Sequence, residues 1–163
     1  MLTIPRRRLT KRGVKPITPY QHKFDNFYLF GAFWPINGDS FLLEMPFCNT
    51  DTFQVYIQEL SRQKPKEFKV IILDNGAFHH SKALMIPENI SLLFLPPYSP
   101  ELNPAERMWR FMKDRLAMEA FKNLEEIKRR ISEIVKNDIT NERVKSICKS
   151  ELYYQNYQST FNV

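Results

Sequence analysis

The chain has 163 residues, a length that suits a single domain with a sizeable core. Its residues are 43% hydrophobic and 13% aromatic, which excludes an intrinsically disordered chain, and no apolar run reaches the ~18 residues of a membrane span. Cys48 and Cys148 lie far apart and form no metal-binding spacing, so we expect reduced thiols in an intracellular protein.

The net charge of +6 is concentrated at the N-terminus. The basic residues of this segment are Arg6, Arg7, Arg8, Lys11, Arg12 and Lys15. No acidic residue precedes Asp25, and the other 18 Lys and Arg residues are balanced by the 18 Asp and Glu residues. A localised excess of this kind favours a polyanionic partner, and the alternative is a solvated terminus that binds nothing specific.

After this basic arm, the sequence predicts two antiparallel strands and a helix. Residues 27–33 and 40–45 are rich in apolar and aromatic side chains, and an Asn-Gly pair between them is typical of a hairpin turn. Apolar side chains at helical spacing then predict a helix over residues 50–62, with Asn49 or Thr50 as its cap.

Two nearly continuous apolar runs, residues 68–73 and 91–95, predict strands that are buried on both faces. The segment between them has room for only a short helix, over residues 80–87. The order of elements predicts an α/β protein in which an antiparallel hairpin leads into parallel strands.

Three helices are predicted in the rest of the chain. Asn103 caps the first, where Glu106 completes the spacing of a capping box, and Trp109 belongs to its buried stripe. The second begins at Asn123, and the last spans residues 141–152.

Asp74 and Glu106 are the candidate functional acids. Asp74 closes a buried strand and Glu106 opens the helix after the next one, so both lie where functional groups gather in α/β sheets. Carboxylates on separate rigid elements favour a divalent metal site that acts on phosphate. A purely structural role remains an alternative for each acid. Asp74 would then only begin an Asp-Asn-Gly turn, and Glu106 would only cap its helix or pair with Arg110.

Two segments carry a family resemblance. Residues 73–79 read LDNGAFH and residues 95–106 read LPPYSPELNPAE. They closely resemble the catalytic domain of DDE transposases, in the mariner-like superfamily and its bacterial insertion-sequence relatives. The basic segment 11–16 and the strand residues 30–32 are similar to that family as well, and the resemblance covers roughly residues 5–120.

This resemblance implies an RNase H-like fold, a mixed sheet flanked by helices, and metal-dependent cleavage and strand transfer at the ends of an insertion sequence. It implies that Asp74 and Glu106 are the second and third catalytic acids and hold two Mg²⁺ or Mn²⁺ ions. By the same resemblance, the supporting residues of the site would be Asn75, His79, Tyr98 and Asn103. We expect a histidine such as His79 to be a surface or cap residue, Tyr98 to pack within its loop, and Trp109 to lie in the core.

The sequence departs from the family at its first catalytic acid, which normally precedes the basic segment. Asp25, Asp39 and Asp51 do not match that position. We therefore expect an incomplete domain that lacks most of the first, central strand and is inactive and marginally stable alone. The predicted parts are a basic arm at 1–23, an incomplete catalytic core at 24–120 and C-terminal helices at 121–163.

The leading hypothesis is a transposase catalytic fragment in the cytoplasm of a bacterium, associated with DNA at transposon ends and targets and with no membrane. It is either a decayed remnant or the downstream frame of a two-frame element that frameshifting completes. Its further partners would be full-length transposase or an upstream-frame product. The alternative is a non-catalytic inhibitor of transposition that binds DNA or transposase. A weaker third hypothesis is an RNase H-type nuclease of another specificity.

Overall fold

A computed structural model of the chain describes residue 12, residues 26–76, residues 79 and 81, residues 83–117, residue 119 and residues 121–149. The elements in chain order are β1 Tyr28–Phe33, β2 Ser40–Met45, α1 Thr50–Arg62, β3 Lys69–Leu73, β4 Ile90–Phe94, α2 Pro104–Leu116, α3 Leu124–Asn137 and α4 Asn141–Cys148, with a 3₁₀ turn at Pro100–Leu102. The predicted order of strands and long helices is confirmed. The helix predicted over 141–152 ends at Cys148, and the residues after Lys149 lie outside the described part.

The short helix predicted over residues 80–87 falls partly on residues outside the described part. Its described residues form a turn and irregular structure, with no helix among them. The basic arm also lies outside the described part, apart from Arg12, which is exposed in a turn.

The strands β1 and β2 form an antiparallel hairpin in which Tyr28 pairs with Met45 and Phe33 with Ser40. Gly38 in its turn has a φ of +81°, which favours glycine. The backbone of Asn141, at the start of α4, lies where a Cβ of Gly38 would sit. The turn therefore docks closely on α4.

The strands β3 and β4 are parallel, with Lys69 opposite Ile90 and Leu73 opposite Phe94. Within the described residues, β3 pairs only with β4 and β1 only with β2, so the sheet is in two pieces. The described strands, flanked by helices, agree with the mixed sheet of the expected RNase H-like fold.

Helix α1 joins the two pieces of the sheet through one apolar core. Its fully buried face consists of Phe53, Tyr56, Ile57 and Leu60. Met45 of β2 and Ile90 of β4 are buried in the same cluster, and Phe30 of β1 and Ile71 of β3 pack against it. Asn49 caps α1 through a reciprocal pair of hydrogen bonds with Thr52, which fixes where the helix begins.

A second core lies on the other face of the hairpin, between α2, α3 and α4. Its buried residues are Met108, Met112, Leu116, Ile131, Ile134, Ile139, Val144 and Cys148. Alternate residues of β1 face the two cores, because Leu29 and Phe33 pack on this cluster while Phe30 packs on the first. Trp109 meets Phe33 edge to face with ring centroids 5.5 Å apart, so it lies in the core as predicted.

Candidate active site

Asp74 lies directly after β3, and its side chain is 70% exposed. Its Oδ1 accepts a hydrogen bond from the backbone N–H of Gly76 at 3.2 Å and lies 3.2 Å from Nδ1 of His79. Within the described part of the chain, Oδ2 makes no hydrogen bond or ion pair. One oxygen is thus fixed by the protein, and the other remains available to a ligand.

His79 is buried, at 9% exposure, which contradicts the expectation of a surface or cap residue. Its ring lies 4.6 Å from the ring of Phe53 in α1, centroid to centroid. Nδ1 also lies 3.3 Å from the backbone oxygen of Asp74. Both neighbours of Nδ1 on Asp74 are acceptors, so Nδ1 carries the hydrogen and donates it to Asp74. The contact between His79 and Asp74 ties the acid to the first core.

Cys48, in the segment between β2 and α1, is a neighbour of Asp74 that the sequence did not indicate. Partial burial raises the pKa of its thiol, and the negative charge of Asp74 raises it further. No spacing pattern in the sequence links the two positions.

Asn75 connects the ends of the two parallel strands. Its side-chain Nδ2 donates to the backbone oxygen of Leu95 at 2.6 Å. The N–H of Leu95 in turn donates to the backbone oxygen of Leu73 at 2.9 Å. These two bonds hold the start of the loop after β4 against the segment that carries Asp74.

Glu106 lies in the first turn of α2, and it is exposed. Asn103 caps this helix by accepting from the N–H of Ala105 at 3.0 Å. The predicted capping box is wrong, because in the described structure the Glu106 carboxylate does not bond back to the Asn103 N–H. The predicted alternative of an ion pair with Arg110 is also not formed among the described residues. Both structural explanations of Glu106 therefore lose their support.

The topology directs the two acids to the same edge of the sheet. Because β3 and β4 are parallel, their carboxyl ends lie together, with Leu73 opposite Phe94. Asp74 follows one end, and residues 95–103 lead from the other end to the helix of Glu106. Two carboxylates offer the hard oxygen ligands that Mg²⁺ and Mn²⁺ prefer. Among the described residues, no group of three or more His, Cys, Asp or Glu side chains forms a metal site.

Two acids that precede β3 in the chain, Asp39 and Asp51, lie in elements other than the one that carries Asp74. The Asp39 carboxylate accepts hydrogen bonds from Lys64 and Asn141, and these contacts lower its pKa, the Lys64 bond having the largest effect. Asp51 lies in the first turn of α1, and Asp25 lies outside the described residues. Neither Asp39 nor Asp51 is at the end of β3.

Tyr98 is fully exposed, at 100%, in the loop between β4 and the 3₁₀ turn. The expectation that it packs within its loop is therefore wrong. Its φ of +60° places it in the left-handed region, which side chains other than glycine seldom adopt. The surrounding prolines and the bond from Asn75 to Leu95 fix the path of the loop but leave the ring in solvent.

The hairpin, the parallel pair and the helix across both form an α/β protein and agree with the expected RNase H-like fold. Residues 3–128 match the sequence profile of the DDE superfamily endonuclease family. The chain therefore belongs to that family.

Two further proteins are similar to this chain. This chain is 41% identical over 102 residues to the uncharacterized protein y4pE/y4sA of Sinorhizobium fredii (strain NBRC 101917 / NGR234). The aligned region covers 61% of this chain and 76% of that protein. The fold of this chain is similar to that of the Mos1 transposase in a paired-end complex with the left transposon end, with a TM-score of 0.64 at 18% identity. That match covers 88% of this chain but 46% of the Mos1 chain, so this chain spans less than half of it.

None of the helices in the described ranges combines the length and the apolar character that crossing a bilayer requires.

Proposed function

We propose that this chain supplies two acids of a transposase centre that cuts DNA at insertion-sequence ends and joins it to a target. The observation that carries this proposal is the state of the two carboxylates. Asp74 is held through one oxygen with the other available, and Glu106 is exposed with neither of its expected structural partners. The turn bond to the Gly76 N–H accounts for one oxygen of Asp74 and not for the other, and Glu106 is not engaged in the cap in the described structure.

Asp74 and Glu106 would hold Mg²⁺ or Mn²⁺. The bound metal would activate the attacking hydroxyl and stabilise the leaving oxygen of the phosphodiester. The protein's own part is to fix the ligands. His79 and the Gly76 N–H restrict the rotation of the Asp74 carboxylate, and the first turn of α2 fixes the backbone of Glu106.

We further propose that the centre needs another acid, in addition to the two on β3 and α2. A site with two metals requires more ligands than these two carboxylates provide. The chain alone is then inactive in strand transfer, and the remaining acid comes from the product of a neighbouring reading frame or from full-length transposase.

DNA is the proposed partner, both as transposon ends and as target, in the cytoplasm of a bacterium. The contacts would come from the basic arm, whose residues are Arg6, Arg7, Arg8, Lys11, Arg12 and Lys15. Neutralising about six phosphates would make the binding constant fall steeply as salt concentration rises.

Transposition in bacterial cells that carry the complete DNA locus of this chain tests the proposal. Asp74→Asn and Glu106→Gln should each abolish transposition, because each removes a metal ligand and changes the shape of the side chain very little. The matched control is Glu101→Gln, which changes an exposed acid of the 3₁₀ turn before α2 and should leave transposition unaffected. Normal transposition with Asp74→Asn would contradict the proposal.

One observation favours a second candidate, a non-catalytic inhibitor that binds DNA or transposase. The entire charge excess lies in the first fifteen residues, separate from the two acids. This candidate predicts that DNA affinity and inhibition of transposition survive Asp74→Ala and fall when Arg6, Arg7 and Arg8 are changed to alanine. Loss of inhibition with Asp74→Ala would exclude it.

A further inference from the structure

Within the described part of the chain, the aromatic ring of Tyr98 has no contact that explains its position. It is the most exposed large hydrophobic side chain of the described residues, at 100%. An aromatic ring gains free energy from burial, so a ring left wholly in water is available to pack on a partner.

The backbone at Tyr98 is also strained. Two described residues other than glycine have a positive φ, Lys64 at 46° and Tyr98 at 60°. Lys64 is explained by its contacts, because its ammonium pairs with Asp39 and its backbone oxygen accepts from Lys69 Nζ at 3.1 Å. Tyr98 has the same kind of strain, but no fold contact of its ring requires it. Strain of this kind is maintained where it serves a function.

The loop around Tyr98 is built to be stiff. Pro97 precedes it and Pro100 follows two residues later, and each fixes its own φ and restricts its neighbour. On one side the loop is tied to Asn75 through Leu95, and on the other the N–H of Leu102 donates to the backbone oxygen of Ser99 at 3.2 Å. The ring is thus presented on a rigid support.

The position of the loop indicates the partner. Residues 95–103 connect the edge where Asp74 lies to the helix of Glu106, so the ring is placed between the two candidate metal ligands along the chain. A partner that reaches the acids with a phosphodiester also brings its bases to this loop. A planar ring stacks on a base face, which is open only where the base is unpaired.

We propose that Tyr98 stacks on an unpaired nucleobase of the DNA strand whose phosphodiester lies at Asp74 and Glu106. This inference rests on the proposed function, since it takes DNA as the substrate. Stacking of a base on an aromatic side chain strengthens binding about tenfold. The stiff loop fixes the backbone that carries the ring before the DNA arrives, so little ordering of the loop is needed on binding.

The test measures the affinity of the full chain for a duplex with a single-stranded extension, by fluorescence anisotropy, beside an oligonucleotide whose extension is abasic. Tyr98→Phe should bind like the unchanged chain. Tyr98→Ala and Tyr98→Gly should bind about tenfold more weakly, and only to the extension that carries bases. Tyr98→Gly should have a melting temperature no lower than that of the unchanged chain, because glycine accepts a φ of +60°.

The control is Phe68→Ala. Phe68 is also exposed, at 64%, but it precedes β3 and so lies at the opposite edge of the sheet from Asp74. Its removal should leave the affinity unchanged.

The outcomes separate this inference from the proposed function. Equal affinity of Tyr98→Gly and the unchanged chain for the extension that carries bases would overturn the stacking alone. The stacking would also be overturned if Tyr98→Ala kept its DNA affinity but changed its oligomeric state, because the ring would then contact a protein. No DNA binding by the unchanged chain would overturn the proposed function and the stacking with it.

Discussion

His79 donates from Nδ1 to Asp74, 3.2 Å from its Oδ1, while its ring lies 4.6 Å from that of Phe53 in α1. One side chain therefore connects the candidate metal ligand to the core that joins both pieces of the sheet. The hydrogen bond orients the carboxylate, and the ring contact fixes the histidine that makes it.

Two substitutions separate these contributions. His79→Phe keeps the ring against Phe53 and removes the donor, so we expect near-normal thermal stability and about tenfold weaker Mn²⁺ binding. His79→Asn keeps an N–H donor near the position of Nδ1 and loses the ring, so we expect lower stability and better Mn²⁺ binding than His79→Phe. Both are measured by thermal unfolding and by electron paramagnetic resonance of free Mn²⁺. Equal Mn²⁺ affinity in His79→Phe and the unchanged chain would show that the bond does not orient Asp74.

A second prediction concerns Gly31. A Cβ at this position would lie 2.7 Å from Cη2 of Trp109, closer than packed carbon atoms approach. Gly31→Ala should therefore lower the free energy of unfolding by about 1–3 kcal/mol, measured by urea denaturation. Combining it with Trp109→Phe should cost less than the sum of the two single changes, because the smaller ring withdraws from the clash. Additive effects would mean that the hairpin and α2 do not pack in this way.

The helices and strands of this chain could be predicted from the sequence more fully than the candidate site. The helices were predictable because local signals specify them: Asn49, Asn103 and Asn123 cap three helices that begin at the next residue. The hairpin followed from its Asn-Gly turn.

The site was less predictable, because its details depend on distant contacts. The burial of His79 requires Phe53, from a different element. The exposure of Tyr98 depends on a backbone conformation that Pro97 does not by itself specify. At the start of α2, the Asn103 side chain accepts a hydrogen bond from the Ala105 N–H. The Glu106 carboxylate takes no part in this cap, although its spacing from Asn103 predicted that it would.

A third prediction concerns the thiol of Cys148. Cys148 is fully buried among the helices, and burial raises the pKa of its thiol to about 11 from an ordinary value of 9.0. Its protonated form is the one that the fold stabilises, so this contribution is complete below pH 9.0 and is lost as pH rises toward about 11. Urea denaturation should show a decline over that range that is smaller in Cys148→Ala. Parallel pH curves for the two proteins would contradict this account.

Cys48 provides a fourth prediction, because it reports on the charge of Asp74. That charge contributes to the raised pKa of the Cys48 thiol, so Asp74→Asn should lower the pKa and increase the rate of thiol labelling near neutral pH. Glu106→Gln should leave the rate unchanged. The labelling is followed with an aromatic disulfide reagent on a Cys148→Ala background. An unchanged rate in Asp74→Asn would mean that the charge of Asp74 does not influence the Cys48 thiol.

The central claim is that Asp74 and Glu106 are metal ligands, and direct Mn²⁺ binding to the purified chain tests it. Free Mn²⁺ is counted by electron paramagnetic resonance during titration of the unchanged chain and of Asp74→Asn, Glu106→Gln and the control Glu101→Gln. We predict that each of the first two substitutions weakens binding at least tenfold, roughly the loss of one strong contact, and that Glu101→Gln binds normally. Mn²⁺ affinity that is the same in Asp74→Asn, Glu106→Gln and the unchanged chain would contradict the assignment of both acids.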